Sequence, residues 1–190
     1  MPHLIKSLWS IMDETKILPA TWKTTLSQLL QQLTSNSGSL RIAVLGVGNE
    51  MRSDDAAGIL IARALSQGEC ATQADRLLIV EAGHAPENRT GELRKFAPDL
   101  VVIVDAADMA GKPGTIQWIP EGAIDGMSAS THTLPLSMLA RYLVLELHCT
   151  VKLLGIQPGS NDVGEKVSPQ VLQAVDEIVD ELDTMLCRVN

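Results

Sequence analysis

A mostly parallel α/β sheet with helices on both faces, plus an N-terminal helical extension, is the fold class that the sequence predicts. Three observations carry the prediction. From residue 40 onward, short apolar runs alternate with stretches of helical spacing, the pattern of strand–helix units around a parallel sheet. Residues 100–104 read LVVIV, and a strand with no polar face is covered on both sides. The core must be aliphatic, because three Trp, one Tyr and one Phe are all the aromatics that 190 residues contain.

Residues 1–39 stand apart as an extension, with 40–190 as a single α/β domain. Amphipathic spacing predicts helices over 3–13 and 19–33, followed by the polar linker 34–39. The first strand is 41–45 (RIAVL), closed by Gly46-Val47-Gly48. Residues 54–65 space Ile59, Leu60, Ile61 and Leu65 as a helix does. A second strand follows at 77–80, then a short helix at 92–96 ended by Pro98. Residues 115–119 form a short edge strand between Pro113-Gly114 and Pro120. Residues 135–147 give Leu136, Leu139, Tyr142, Leu143 and Leu147 to one broad helical face. Residues 151–156 form a further strand stopped by Pro158-Gly159. Ser168-Pro169 then opens the last helix, serine as N-cap and proline at the first helical position.

Composition excludes several classes of partner. A net charge of −8 repels phosphate backbones and anionic membranes, and so few rings cannot build a base-stacking surface. Neither nucleic acid nor direct membrane insertion is expected, since no apolar run approaches the roughly 20 residues that span a bilayer. The apolar stretch 4–12 is interrupted by Lys6 and followed by Asp13 and Glu14, which is not the pattern of a secretory signal. A cytoplasmic location follows as the expectation. Cys70, Cys149 and Cys187 show no CxxC spacing and read as small buried hydrophobes in a reducing compartment.

In an open α/β sheet, ligands bind outside the carboxyl ends of the strands. The loops 46–55, 81–84 and 105–108 all open on that edge. Gly46-Val47-Gly48 with Glu81 at the end of the second strand invites a dinucleotide reading. Against it, Met51 stands where a small residue should allow close helix–strand packing, and Asp54 and Asp55 open the following helix, where an anion site would not want carboxylates. Those two acids also suit a helix dipole. Asp105 follows five apolar residues directly, a costly place for a carboxylate without a partner. His132 lies in the polar loop before Pro135; two carboxylates and an imidazole on sheet-edge loops would suit a borderline divalent metal such as nickel or zinc. His84 sits beside that edge, whereas His3 and His148 read as surface residues.

Five segments in order carry a resemblance: Gly46-Val47-Gly48-Asn49 with Ser53-Asp54-Asp55; Ala85-Pro86-Glu87-Asn88; Ile103-Val104-Asp105-Ala106 with Asp108-Met109; Thr131-His132 with Leu134-Pro135-Leu136; and Leu154-Gly155-Ile156-Gln157-Pro158. With them the chain resembles the hydrogenase maturation endopeptidases, the hydrogenase-3 type branch above all. The resemblance implies a metal-dependent, aspartic-type endopeptidase that trims the C-terminal tail of a nickel–iron hydrogenase large-subunit precursor. It implies catalytic metal ligands at Asp55, Asp105 and His132, and a nickel ion supplied by the substrate, so that cleavage waits for the metal. Asp54 matches the family's acidic pair without being a ligand. Two features depart from the family: Asp54-Asp55 is followed by Ala56 in place of glycine, and residues 1–39 have no counterpart. Three rivals stand beside this reading: a non-catalytic nickel checkpoint or chaperone of the precursor, a dinucleotide-dependent oxidoreductase, and a self-sufficient metallohydrolase.

Overall fold

The computed structural model describes residues 21–37, 39–120 and 135–187. The helix expected over 3–13 and the His132 loop lie outside them. Five strands form one sheet: β1 (Ile42–Val47), β2 (Leu77–Gly83), β3 (Leu100–Ala106), β4 (Ile116–Ile119) and β5 (Thr150–Ile156), in the order β2-β1-β3-β5-β4. β2, β1, β3 and β5 pair in parallel, and β4 runs antiparallel along β5 at the edge. The helices are α1 (Trp22–Ser37), α2 (Ala57–Ser66), α3 (Thr90–Phe96), α4 (Leu136–Leu147) and α5 (Pro169–Cys187). This is the α/β architecture read from the pattern, with Pro169 opening α5 and Pro135 just ahead of α4.

Strand side chains alternate between two cores. Ile42, Val44, Leu100, Val102, Val104, Leu154 and Ile156 face one cluster, which α1, α2 and α5 close. Ala43, Leu45, Val101, Ile103, Val151 and Leu153 face the other, under α3 and α4. α1 is built into the first core: Trp22, Leu26 and Leu30 are buried there. Its start is tied down by Trp118 Nε1–H donating to the Trp22 carbonyl at 2.9 Å and by Trp22 Nε1–H donating to Glu177 at 3.3 Å.

Two glycines let α2 lie unusually close to the sheet. A Cβ on Gly46 would stand 2.0 Å from the Gly58 carbonyl oxygen, and one on Gly58 would stand 2.3 Å from the carbonyl oxygens of both Val47 and Val104. Close helix–strand packing therefore does occur, through Gly58. Met51, expected to obstruct it, is 67% exposed and out of the interface. One cysteine also departs from expectation. Cys149 is free and buried, but Cys187 is disulfide-bonded, since linear spacing says nothing about which ends the fold brings together.

Candidate active site

The carboxyl edge of the central strands carries the polar residues singled out above. Gly48, at φ 140, lies against the Asp55 carbonyl so closely that a Cβ would come within 1.8 Å of it. The turn that follows is held by backbone bonds: Asn49 N–H to the Asp55 carbonyl at 3.1 Å, Arg52 N–H to Asn49 at 3.0 Å, and Asp55 N–H to Arg52 at 2.9 Å. The Asn49 side chain accepts the Met51 N–H at 3.0 Å, an Asx turn that makes the chain reverse. Ser53–Ala56 is a single 3-10 turn leading into α2. It packs against β3.

Both acids of this turn are out of water, Asp54 at 0% and Asp55 at 1% exposure. Asp54 accepts four hydrogen bonds, from the backbone N–H of Gly159 (2.7 Å), Ser160 (3.0 Å) and Ser168 (2.6 Å) and from the Ser168 hydroxyl (3.0 Å). Charge-assisted bonds of this kind replace the lost hydration. Asp105 is also at 0% exposure, at the end of β3 and in register with Gly155 of β5. Thus Asp55 and Asp105 occupy the carboxyl edge of the sheet together, one on the turn after β1 and one at the end of its neighbour β3. His132 lies outside the described residues. Among the described residues no cluster of three His, Cys, Asp or Glu has the geometry to hold a metal.

Gln157 is a site-edge residue whose role linear reading missed. Its Oε1 accepts the N–H groups of Met109 (2.7 Å) and Gly111 (3.1 Å), and its Nε2 donates to Asp108 (3.3 Å) and the Pro158 carbonyl (3.2 Å). It fastens the loop after Asp105 to the end of β5. The only hint in the sequence is a buried-strand pattern ending in an amide, Leu154-Gly155-Ile156-Gln157. His84 is exposed, just past β2.

The features that invited a dinucleotide are otherwise engaged. Glu81 accepts from Arg63 of α2 at 2.7 and 3.2 Å, and Glu50 accepts from the same guanidinium at 2.7 Å. The hydrogen bond to Arg63 holds the Glu50 carboxyl below its usual range, and the two carboxylates raise the guanidinium further. The N–H groups of Asp54 and Asp55, which an anion at a helix start would need, already donate to Ser160 and Arg52. Among the described residues, these groups are not arranged to take a pyrophosphate.

Comparison with known proteins bears on the family and the fold. A family model described as hydrogenase maturation protease matches residues 59–184, a span that includes Asp105 and His132 and begins just after Asp55. The hydrogenase 3 maturation protease of Escherichia coli K12 is 32% identical over 141 residues, 74% of this chain and 87% of that protein. The crystal structure of a [NiFe] hydrogenase maturation protease HycI from Thermococcus kodakarensis superposes with a TM-score of 0.72 at 32% identity, covering 84% of this chain and 99% of the other. The hydrogenase maturating endopeptidase HybD of E. coli gives a TM-score of 0.63 at 25% identity, over 78% and 93% of the two chains.

Proposed function

The chain belongs to the hydrogenase maturation protease family, and on that premise we propose that it removes the C-terminal extension of a nickel–iron hydrogenase large-subunit precursor after nickel insertion. Asp55, Asp105 and His132 are the ligands that meet the nickel, and the ion belongs to the substrate. The observation that carries this reading is the burial of Asp55 and Asp105 at one edge of the sheet, on the turn that follows β1 and at the end of the neighbouring parallel strand β3. Two oxygen donors and an imidazole suit a borderline divalent metal. Carboxyl groups held out of water at a sheet edge are where chemistry is to be sought.

Nickel carried in by the precursor would polarise the scissile carbonyl or acidify an attacking water. The protein's own residues do the rest. The precursor's tail lies across the carboxyl edge of the sheet, along the outer side of the joined turn 49–55 and segment 158–168. A carboxylate oxygen of Asp55 or Asp105 that is not bound to metal takes the proton from the water. Met51 and Val163, 67% and 68% exposed, stand on those two segments, which are tied by the Gly164 N–H to the Met51 carbonyl at 2.9 Å. They offer apolar contact to the tail. No helix of the described residues is long and apolar enough to cross a membrane.

The test is processing of nickel-loaded precursor by Asp105→Asn and His132→Ala. Both variants should fold and leave the precursor uncut. Cutting at the wild-type rate by either one would remove that residue from the site. A precursor that stays full-length even with the wild-type protein would favour a non-catalytic checkpoint instead.

A further inference from the structure

Of two neighbouring acids in one turn, the structure shows one fully committed to hydrogen bonds with another part of the chain. We infer that Asp54 is the positioning residue of the site: its carboxylate pins the segment 159–168 onto the turn 51–56 and so fixes the direction of Asp55. The inference rests on the endopeptidase reading above for the role of Asp55. Four donors converge on Asp54, all of them on that segment, and none is a charged side chain. Successive N–H groups of Gly159 and Ser160 form a small anion cradle around Oδ2. Three more bonds cross between the same two pieces of chain. Asp54 N–H donates to Ser160 (3.2 Å), Gly164 N–H donates to Met51 (2.9 Å), and the Ser53 hydroxyl donates to Lys166 (2.9 Å).

Ser53 supplies an independent sign of constraint. It is buried and held at φ 42, a left-handed conformation that a non-glycine residue keeps only when its surroundings impose it. Its hydroxyl bond to Lys166 and the Asp54 bonds are those surroundings. In a 3-10 turn, consecutive side chains diverge by about 120°. With Asp54 locked onto 159–168, Asp55 is therefore aimed away from that segment by the turn itself. The turn packs against β3, which ends in Asp105 and Ala106. Asp54 is fully buried with four donors on its carboxylate, and it acts through the turn.

The experiment compares full-length wild type with Asp54→Asn, Ser168→Ala and Asp55→Asn. It reads thermal stability, hydrogen exchange at Gly159, Ser160 and Ser168, and kcat and KM on nickel-loaded precursor. Asp54→Asn should speed exchange at those three amides and lower kcat by about 100-fold, as a misplacement near 1 Å does, with KM changed by less than about threefold. Ser168→Ala keeps three of the four bonds and should lower kcat by about tenfold. A purely structural role would lower the melting temperature of both variants while leaving kcat per folded molecule untouched, and that result overturns the inference. If Asp54→Asn does not fold, Ser168→Ala decides alone: an unchanged kcat overturns the proposal. An inactive Asp55→Asn beside a fully active Asp54→Asn defeats the positioning role but leaves the endopeptidase reading standing. A fully active Asp55→Asn defeats both.

Discussion

Replacing Gly58 by alanine puts the helix–sheet contact to the test. In an ordinary helix the change would stabilise by about 1 kcal/mol, because glycine is the poorer helix former. Here the added methyl would lie 2.3 Å from two carbonyl oxygens, those of Val47 and Val104, and 2.8 Å from the Val47 nitrogen. All three are backbone atoms of β1 and β3, so no side chain can swing aside. Ordinary contact begins at 3.4 Å, and the start of α2 must retreat by about 1 Å to reach it. Overpacking of this kind costs about 3 kcal/mol at the upper end of its usual range. The net loss, after the helix gain, is about 2 kcal/mol, or roughly 4–8 °C in melting temperature for a domain of this size. The retreat also carries the Ser53–Ala56 turn, and Asp55 with it, away from the end of β3. Differential scanning calorimetry reads the first effect, and cleavage of nickel-loaded precursor reads the second. A Gly58→Ala protein that melts at or above the wild-type temperature would refute the close approach.

Other consequences are checked more briefly. Leu26→Ala should destabilise the fold by about 2–5 kcal/mol in denaturant titration, because Leu26 is fully buried in the core shared by α1, α5 and the sheet; a neutral result would mean that α1 is dispensable to the domain. The Glu50–Arg63 bond lowers the Glu50 pKa from 4.5, so its contribution is present above that pH and lost as pH falls through the lowered value. The stability difference between wild type and Glu50→Gln should accordingly be seen at pH 7 and vanish in acid, as chemical denaturation across pH will show. Met51→Ser and Val163→Ser should raise KM for the precursor by about tenfold, with the melting temperature unchanged, since both side chains are exposed.

What could be read from the linear chain was what is local. The LVVIV run, the helix opened by Ser168-Pro169 and the proline-bounded edge strand each announce themselves within a few residues, because period, caps and breakers are short-range. Asp105 was equally legible, as a carboxylate placed straight after a buried run. The long-range partners were not. The sequence shows Asp54 and Asp55 as twins, while the fold gives Asp54 donors 105 to 114 positions away. Gln157 looks like the end of a strand until it is seen clamping Met109 and Gly111. Glu81, a candidate for holding a ribose, is taken by Arg63 from a helix 18 residues earlier. Met51 was misjudged because the small residue that lets α2 approach β1 is Gly58, seven positions further on. The bond at Cys187 escaped notice for the same reason: nothing in the spacing points to it.

The central claim is that nickel in the substrate licenses the cut. It is tested most directly by the intact mass of the large-subunit precursor after incubation with the wild-type protein, measured in parallel for nickel-loaded and nickel-free precursor. The expected result is loss of a C-terminal peptide from the loaded form alone. Equal trimming of both forms, or no trimming of the loaded one, would contradict it.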